Sequence, residues 1–352
     1  MSIILATGGL GFIGSHTCLE MLNNGFDVLI IDSLINSFSE VKERIEKALI
    51  NNNDREKGKL YFRKGDIRNY EFLNSIFEEF RSSQKPIKAV IHFAGLKSIY
   101  DSIINPLDYW EFNVNGTINL LKVMKKNKCF NIVFSSSASI YKSDSMFPIK
   151  EDYELKPINV YSNTKLIIER ILDDIYNSES NKWRIVRLRY FNPAGAHSDG
   201  FLGEDPKNIA TNLFPSIIRT LENKSEFLPI YGNDWPTKDG TCVRDYIHIM
   251  DLAEAHLLSL KLILENKPQN LYMNIGTGEG SSILEVLDAF KNYLNLEVKY
   301  KFVDRREGDY PYVVADNKLA SSILKWKPKR NIVDICKDAW NWQLIKNNKK
   351  SK

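Results

Sequence analysis

Cysteine and histidine are scarce in this chain, and neither is spaced for chemistry. Four cysteines (Cys18, Cys129, Cys242 and Cys336) stand more than ninety residues apart, with no C-x-x-C in 352 residues. That spacing excludes a disulfide framework and a zinc site built on cysteine pairs. The five histidines (His16, His92, His197, His248 and His256) show no metal-ligand spacing, so structural roles are expected of them, and no metal. No apolar run approaches the ~18 residues that would cross a bilayer. Met1 leads into a short apolar segment and then glycines, without a basic n-region or cleavage site. Together these absences point to a reducing cytoplasm. An excess of one charge is missing as well. There are 48 Lys+Arg against 44 Asp+Glu, and Lys346, Lys349, Lys350 and Lys352 near the end account for the whole difference of +4. A balanced body with a basic tail gives no ground for a nucleic-acid or membrane partner.

What is present is an ordinary globular balance, 43% hydrophobic and 26% charged, over a length that suggests two domains. The first half alternates short apolar runs with stretches of helical periodicity. Strands are expected at 3–6, 28–31, 60–62, 89–93, 132–134 and 185–188. Most are rich in Val, Ile and Leu without polar alternation, as strands covered on both faces are. Between them, Phe72, Leu73, Ile76, Phe77 and Phe80 share one helical face. This alternation predicts an α/β fold, a Rossmann-type doubly wound parallel sheet. The polar run 51–59 reads as a surface loop. After about Tyr190, Gly, Pro and Asn become frequent and the elements shorten. We therefore expect a nucleotide-binding domain over 1–190, joined by a returning segment near 233–262, and a smaller mixed α/β C-terminal substrate domain over 191–352.

The first apolar run leads into Thr7-Gly8-Gly9-Leu10-Gly11-Phe12-Ile13-Gly14 and then a helical stretch from Ser15. Gly8, Gly11 and Gly14 form G-x-x-G-x-x-G, a variant of the dinucleotide fingerprint. Such a loop needs a tight turn, backbone close to a pyrophosphate, and a helix packed near its strand. The helix N-terminus then offers N–H groups and a positive dipole end to the phosphates. Eighteen residues past Gly14, Asp32 ends the next apolar strand. A carboxylate there accepts hydrogen bonds from ribose hydroxyls and repels a 2′-phosphate, which favours NAD over NADP.

Val133-Phe134-Ser135-Ser136-Ser137-Ala138 places serines at the C-terminal end of a buried strand, where open α/β sheets bind ligands. Tyr161-Ser162-Asn163-Thr164-Lys165 then opens a helix, and its i, i+4 spacing sets Tyr161 and Lys165 on one face. A phenol is a poor base at neutral pH. A nearby ammonium, helped by an oxidised nicotinamide, is expected to favour the phenolate. A serine hydroxyl can orient the substrate oxygen while Tyr161 takes its proton.

With these stations in this order, the sequence resembles the UDP-glucose 4-epimerases of the extended short-chain dehydrogenase/reductase superfamily. The resemblance runs from Ile3 to about Trp342. It includes Gly65-Asp66-Ile67-Arg68, Phe93-Ala94-Gly95-Leu96-Lys97, Asn113-Val114-Asn115-Gly116-Thr117, Arg189-Tyr190-Phe191-Asn192-Pro193, Gly203-Glu204-Asp205-Pro206, Val243-Arg244-Asp245-Tyr246 and Arg305-Arg306-Glu307-Gly308-Asp309.

What the resemblance implies is specific. NAD would lie along Gly8, Gly11, Phe12, Ile13, Gly14, Asp32, Asn36 and Ser37, with Asp66 and Ile67 near the adenine. Phe93, Ala94, Gly95 and Lys97 would line the cofactor, and Phe191 would pack near the nicotinamide. Ser137 would be the catalytic serine, Tyr161 the base, and Lys165 the holder of the nicotinamide ribose. Asn192, Asn212 and Leu213 would approach the nucleotide sugar beside Lys97, and Pro229, Ile230 and Tyr231 would flank the uracil. Arg244 and Arg306 would hold the diphosphate, since a guanidinium fork matches phosphate oxygens. Asp309 would hold the uridine ribose. The implied reaction interconverts UDP-glucose and UDP-galactose through a 4-keto intermediate on bound NAD, in a homodimer assembled through the helices around 108–126 and 161–175.

Three residues depart from the family pattern. Phe112 stands where an asparagine is usual, Lys142 replaces a glycine, and Val313 occupies the position where some members carry a tyrosine bounding the sugar pocket. A valine there implies room for an N-acetyl group, unless Tyr310 or Tyr312 refills the space. The alternatives are a nucleotide-sugar 4,6-dehydratase or decarboxylase on the same fold, and a catalytically silent NAD-binding regulator. The first two chemistries need a carboxylate near the serines, and residues 135–139 contain none. The third would be expected to have lost Ser137, Tyr161 or Lys165, all of which are kept.

Overall fold

The computed structural model describes residues 3–50, 56–142, 148–207, 212–265, 267–306 and 308–350, with the side chains of Lys349 and Lys350 set aside. Residues 51–55 of the expected loop, Glu307 and Lys352 lie outside them. In chain order the strands are β1 (Ile3–Thr7), β2 (Asp27–Asp32), β3 (Leu60–Lys64), β4 (Ile87–His92), β5 (Asn131–Ser137), β6 (Arg184–Tyr190), β7 (Asn192–Ala194), β8 (Leu228–Tyr231), β9 (Val243–Arg244), β10 (Tyr246–His248), β11 (Gln269–Ile275), β12 (Ser281–Ser282), β13 (Tyr300–Val303) and β14 (Tyr312–Val313). The helices are α1 (Phe12–Asn23), α2 (Glu40–Ile50), α3 (Tyr70–Ser82), α4 (Ile99–Ile104), α5 (Pro106–Tyr109), α6 (Gly116–Lys126), α7 (Val160–Ser178), α8 (Leu213–Leu221), α9 (Ile249–Leu264), α10 (Ile283–Leu294), α11 (Lys318–Leu324) and α12 (Ile332–Lys350). A π-helical stretch, Trp110–Asn115, lies between α5 and α6.

The chain divides into two compact units. The first comprises Met1–Tyr141, Glu154–Arg189 and Ala253–Met273, and the second comprises Lys142–Tyr153, Tyr190–Leu252 and Asn274–Lys352. The returning segment thus begins at Ala253, where the sequence reading set it near 233–262. Residues 142–153, which that reading kept in the first domain, are held by the second unit. Ile149 bonds Val314 and Asp316 through the backbone, and its carbonyl also accepts from the Asn274 side chain.

The first unit is built on a seven-stranded sheet in the order β11-β6-β5-β4-β1-β2-β3. β1 pairs in parallel with β2 and β4, β2 with β3, and β4 with β5. The strand order therefore reverses between β1 and β4, the switch point at which such sheets bind ligands beyond the strand ends. β1 and β2 are buried at every position, which explains the apolar runs 3–6 and 28–31 within them. One face is closed by Phe77 and Phe80 of α3 and Leu120 and Met124 of α6, packed with Leu5, Val90 and Phe134. Asn69 caps α3 by accepting the Phe72 N–H at 2.9 Å.

The second unit is more fragmented. β7 pairs in parallel with β10, β8 with β13, and β9 lies between β12 and β14. Its core joins Phe214 and Ile217 of α8, Ile230 of β8, Phe290 of α10 and Ile335 and Cys336 of α12. Asp245 is fully buried and ties this unit together, accepting from Thr277 N and Oγ1, Gly278 N and Ala315 N. No helix among the described residues is long and apolar enough to cross a membrane.

Candidate active site

The glycine loop lies between the carboxyl ends of β1 and β4. Gly8 has φ +68°, and a Cβ on it would sit 2.7 Å from the backbone nitrogen of Ala94. A Cβ on Gly14 would sit 2.5 Å from the Gly8 carbonyl oxygen. Only glycine permits both approaches. Gly11 donates to the Gly8 carbonyl at 3.1 Å, closing the turn that delivers Phe12 and Ile13 into α1. The α1 N-terminus has no side-chain cap and no acid in its first turn, so no carboxylate competes for an anion there.

Asp32 stands at the end of β2, 7% exposed. Its carboxylate accepts from Leu10 N of the glycine loop at 3.0 Å, Leu34 N at 2.9 Å and Ser37 Oγ at 2.8 Å. The acid is thus fixed in direction and links the glycine loop to residues 34–37, where Asn36 is exposed and Ser37 buried. Past β3, Gly65 N donates to the Asp32 carbonyl at 3.1 Å, so Asp66 and Ile67 enter beside Asp32. Burial pushes the Asp66 carboxyl up, but the hydrogen bonds and charge of Arg68 win and hold it below the usual range. After β4, Phe93 packs its ring 5.0 Å from that of His256, and Ala94, Gly95 and Lys97 follow on an increasingly exposed loop. A positive-φ glycine cradle, an uncapped helix start and an oriented buried carboxylate are the set a dinucleotide requires.

Ser137 is the last residue of β5, and its Oγ donates to Ser139 Oγ at 3.0 Å. Asn159 caps α7 by accepting Ser162 N at 2.9 Å, which starts the helix so that Tyr161 lies in its first turn. The Ser137 hydroxyl lies near enough to the Tyr161 phenol to favour its ionised form. Lys165, one turn on, is 5% exposed and donates to the Ser135 carbonyl at 2.9 Å, with its Nζ 4.9 Å from the Phe134 ring and 5.9 Å from that of Tyr161. In the protein alone, burial pushes the Tyr161 hydroxyl up to about 12, and the Ser137 hydroxyl opposes the rise. Burial likewise pushes Lys165 down to about 8, against the pull of Glu169. Lys165 hydrogen-bonds the Ser135 carbonyl, with its own charge poorly solvated.

Two supporting groups were given no role from sequence, although Arg189 and Asn113 lie in segments that carry the resemblance. Glu169, one turn beyond Lys165 and 2% exposed, takes a hydrogen bond from Ser136 Oγ at 2.5 Å and a forked pair from Arg189, 2.6 Å at its closest. Arg189 in turn donates to the Tyr141 hydroxyl at 2.9 Å. This buried chain joins the serine strand to the tyrosine helix. Asn113, 1% exposed in the π-helical stretch, accepts from Leu96 N at 2.7 Å and donates to Leu96 O at 3.1 Å and Thr164 Oγ1 at 3.0 Å. It joins the loop after β4 to α7. His92 sits between Thr7 Oγ1 (2.7 Å) and Thr117 Oγ1 (2.8 Å), and burial, with the Lys165 charge adding, lowers its pKa to about 3. It is a neutral structural peg.

In the second unit, Tyr231, Arg244, Arg306 and Asp309 come together. Arg306 Nη2 and Nε lie 3.0 and 3.2 Å from the Asp309 carboxylate, and the guanidinium carbon is 5.2 Å from the Tyr231 ring centre. Arg244 reaches Asp309 at 3.4 Å and donates to the Tyr310 carbonyl at 2.7 Å. Val313 pairs with Arg244 in the β9–β14 register. Tyr312, its neighbour, points to the opposite face, where its ring edge lies 3.7 Å from the Cβ position of Gly280. Pro229 and Ile230 lie in β8 beside Tyr231. Phe191 is buried between β6 and β7. Asn192 and Leu213 begin β7 and α8, and Asn212 precedes α8. Neither asparagine hydrogen-bonds the arginine cluster among the described residues.

A GDP-mannose 4,6 dehydratase family model matches residues 5–339. The chain is 44% identical over 340 residues to a UDP-glucose 4-epimerase of Bacillus subtilis (strain 168), covering 97% of this chain and 96% of that protein. The chain belongs to the UDP-glucose 4-epimerase family. Another member, the bifunctional UDP-glucose 4-epimerase and UDP-xylose 4-epimerase 1 of Pisum sativum, is 45% identical over 347 residues, with 98% and 96% covered. Among solved members of the family, the Stenotrophomonas maltophila epimerase with bound NAD and formylated UDP-arabinopyranose superposes with TM-score 0.92 at 37% identity, over 99% and 100% of the two chains. The Bifidobacterium longum epimerase in complex with NAD+ and UDP superposes with TM-score 0.90 at 38% identity, over 99% of each.

Proposed function

We propose that this chain is an NAD-dependent UDP-glucose 4-epimerase, interconverting UDP-glucose and UDP-galactose through a 4-keto sugar. The observation that carries the reading is Ser137 at the end of β5 facing Tyr161 in the first turn of α7, with Lys165 anchored one turn on. The first unit is the NAD-binding one. The glycine loop holds the pyrophosphate, Asp32 and Ser37 face the adenosine ribose, Asp66 and Ile67 the adenine, and Phe93, Ala94, Gly95, Lys97 and Phe191 the rest of the cofactor. When bound, NAD supplies a reversible hydride acceptor for C4′ and, while oxidised, a positive charge near the phenol. Ser137 orients the 4′-oxygen, and Tyr161 takes its proton and later returns it. Lys165 holds the nicotinamide ribose. In the second unit Arg244 and Arg306 take the diphosphate, Asp309 the uridine ribose, Pro229, Ile230 and Tyr231 the uracil, and Asn192, Asn212 and Leu213 the sugar side. Holding UDP this way lets remote binding energy retain the ketone while it reorients.

The dehydratase and decarboxylase readings fare worse. They need a free carboxylate at the serines, and Glu169, the buried acid behind them, is taken up by Arg189 and Ser136. The four cysteines are free and buried, which supports a reducing cytoplasm. Just before the helices expected to form the homodimer, an exposed apolar stripe favours it: Tyr100, Ile103, Ile104 and Leu107 of α4 and α5 are 65%, 64%, 56% and 80% exposed.

Purified protein incubated with UDP-glucose and no added NAD should yield UDP-galactose. A dehydrated 4-keto or a pentose product would refute the reading. Tyr312 faces away from Val313, which favours room for an acetamide beside the valine, so UDP-N-acetylglucosamine is a substrate as well. Val313→Tyr should lower kcat/KM for the N-acetyl sugar and spare UDP-glucose. An unchanged ratio would show that Val313 is not the gate.

A further inference from the structure

The family's usual asparagine at position 112 is a phenylalanine here, and the structure shows what the ring does. Phe112 sits within the π-helical stretch, a local geometry that recurs at functional sites. Its ring lies flat against Arg68, with the guanidinium carbon 3.6 Å from the ring centre. That guanidinium is also forked onto Asp66, Nε 3.1 Å from both carboxylate oxygens and Nη2 2.7 Å from Oδ2. The Arg68 N–H reaches the same carboxylate at 2.9 Å, and the Arg68 carbonyl accepts from Asn119 at 2.8 Å. Ile67 is pressed onto Gly116, where a Cβ would come within 2.8 Å of its Cδ1. The loop leaving β3 is therefore pinned to the π-helical stretch and α6 at three points, and the Phe112–Arg68 stack is the one that fixes the Asp66 carboxylate.

We infer that Phe112 is a positioning residue for cofactor retention: by clamping Arg68 it holds Asp66 and the 65–69 loop in place at the adenine end of NAD. The inference rests on the NAD reading above. An asparagine at 112 offers one polar contact, whereas the ring offers a stacked cation that is already paired with the acid. Arg68 is two-thirds buried at the side chain, so the stack is partly desolvated, the setting in which such pairs gain most.

The test follows bound NAD directly. Holoenzyme is prepared as wild type, Phe112→Leu, Phe112→Asn, Arg68→Ala and Phe112→Leu/Arg68→Ala. Loss of NAD is timed on dilution into an NAD-consuming enzyme, and turnover is measured with and without saturating NAD. Phe112→Leu, which keeps apolar packing without the ring, should lose NAD about three- to thirtyfold faster, the range expected of a partly desolvated cation–π pair. Its kcat at saturating NAD should match wild type, and the double variant should lose NAD no faster than Arg68→Ala. Release at the wild-type rate, a kcat that added NAD does not restore, or additive effects in the double variant would each overturn the inference. A wild-type protein that binds no NAD would instead refute the cofactor reading, and is told apart by the first measurement of the series.

Discussion

Lys165→Met is expected to leave the fold as stable as wild type, or make it more stable, while removing activity. The ammonium is buried among Ser135, Phe134 and Tyr161, and its pKa falls from 10.5 to about 8. Keeping the charge at neutral pH therefore costs about 3 kcal/mol, at 1.36 kcal/mol for each pKa unit. Methionine fills the same slot without charge, but gives up the hydrogen bond to the Ser135 carbonyl, worth about 1.5–3 kcal/mol for a charged donor. The balance runs from about zero to about 1.5 kcal/mol in favour of the variant. Glu169 keeps Arg189 as its partner, so no second buried charge is orphaned. Denaturant unfolding of NAD-free samples reads this balance without the cofactor's contribution. The pH dependence has a definite sign. The native state binds the Lys165 proton more weakly than the unfolded chain, so wild-type stability climbs with pH between about 8 and 10.5. The advantage of Lys165→Met should close over that window. Turnover should fall by roughly two to three orders of magnitude, as when a positioned electrostatic donor is removed. A variant more than about 2 kcal/mol less stable than wild type at pH 7 would refute this account.

Tyr161→Phe should bind NAD normally and lose about 10²–10⁴-fold in turnover; retention of a tenth of wild-type activity would remove Tyr161 from the role of base. Protein reconstituted with NADP should be at least about a hundredfold less active than with NAD, because a 2′-phosphate would meet the oriented Asp32 carboxylate; equal activity would refute its placement. Leu107→Glu, on the most exposed apolar side chain of the α4–α5 stripe, should give the monomer mass by light scattering at micromolar concentration, where wild type gives the dimer. A wild-type monomer would refute the homodimer.

How much was legible in the sequence depended on whether the physics was local. The parallel sheet could be read because β1, β2, β4 and β5 each carry an apolar run, and the glycine loop because its spacing and the following acid are fixed by the ligand they suit. Glu169 gave no such signal, and Arg189 only its place in a segment of the resemblance. Their pairing bridges a helix and a strand, and each alone looks like an ordinary surface charge. Asn113 was hidden for the same reason, since its three bonds go to residues seventeen and fifty-one positions away. Around Tyr161, sequence shows a neighbouring lysine but not the desolvation of both groups. The Phe112–Arg68 stack could be found only as a departure from family pattern, with its meaning supplied by a distance.

The chain passes between its two units five times, at 141–142, 153–154, 189–190, 252–253 and 273–274. A ribosome must therefore complete almost four-fifths of the polypeptide before the first unit has all its strands, because β11 closes the edge of the sheet beside β6. Until then β6 offers an unpaired row of N–H and C=O groups, the template on which chains stick to one another. Cutting the gene at residue 190, the boundary that composition suggests, would make that exposed margin permanent. Neither half is a portable module, and a cut at 275 would in turn divide the second unit, so fusions and expression clones should keep the chain whole.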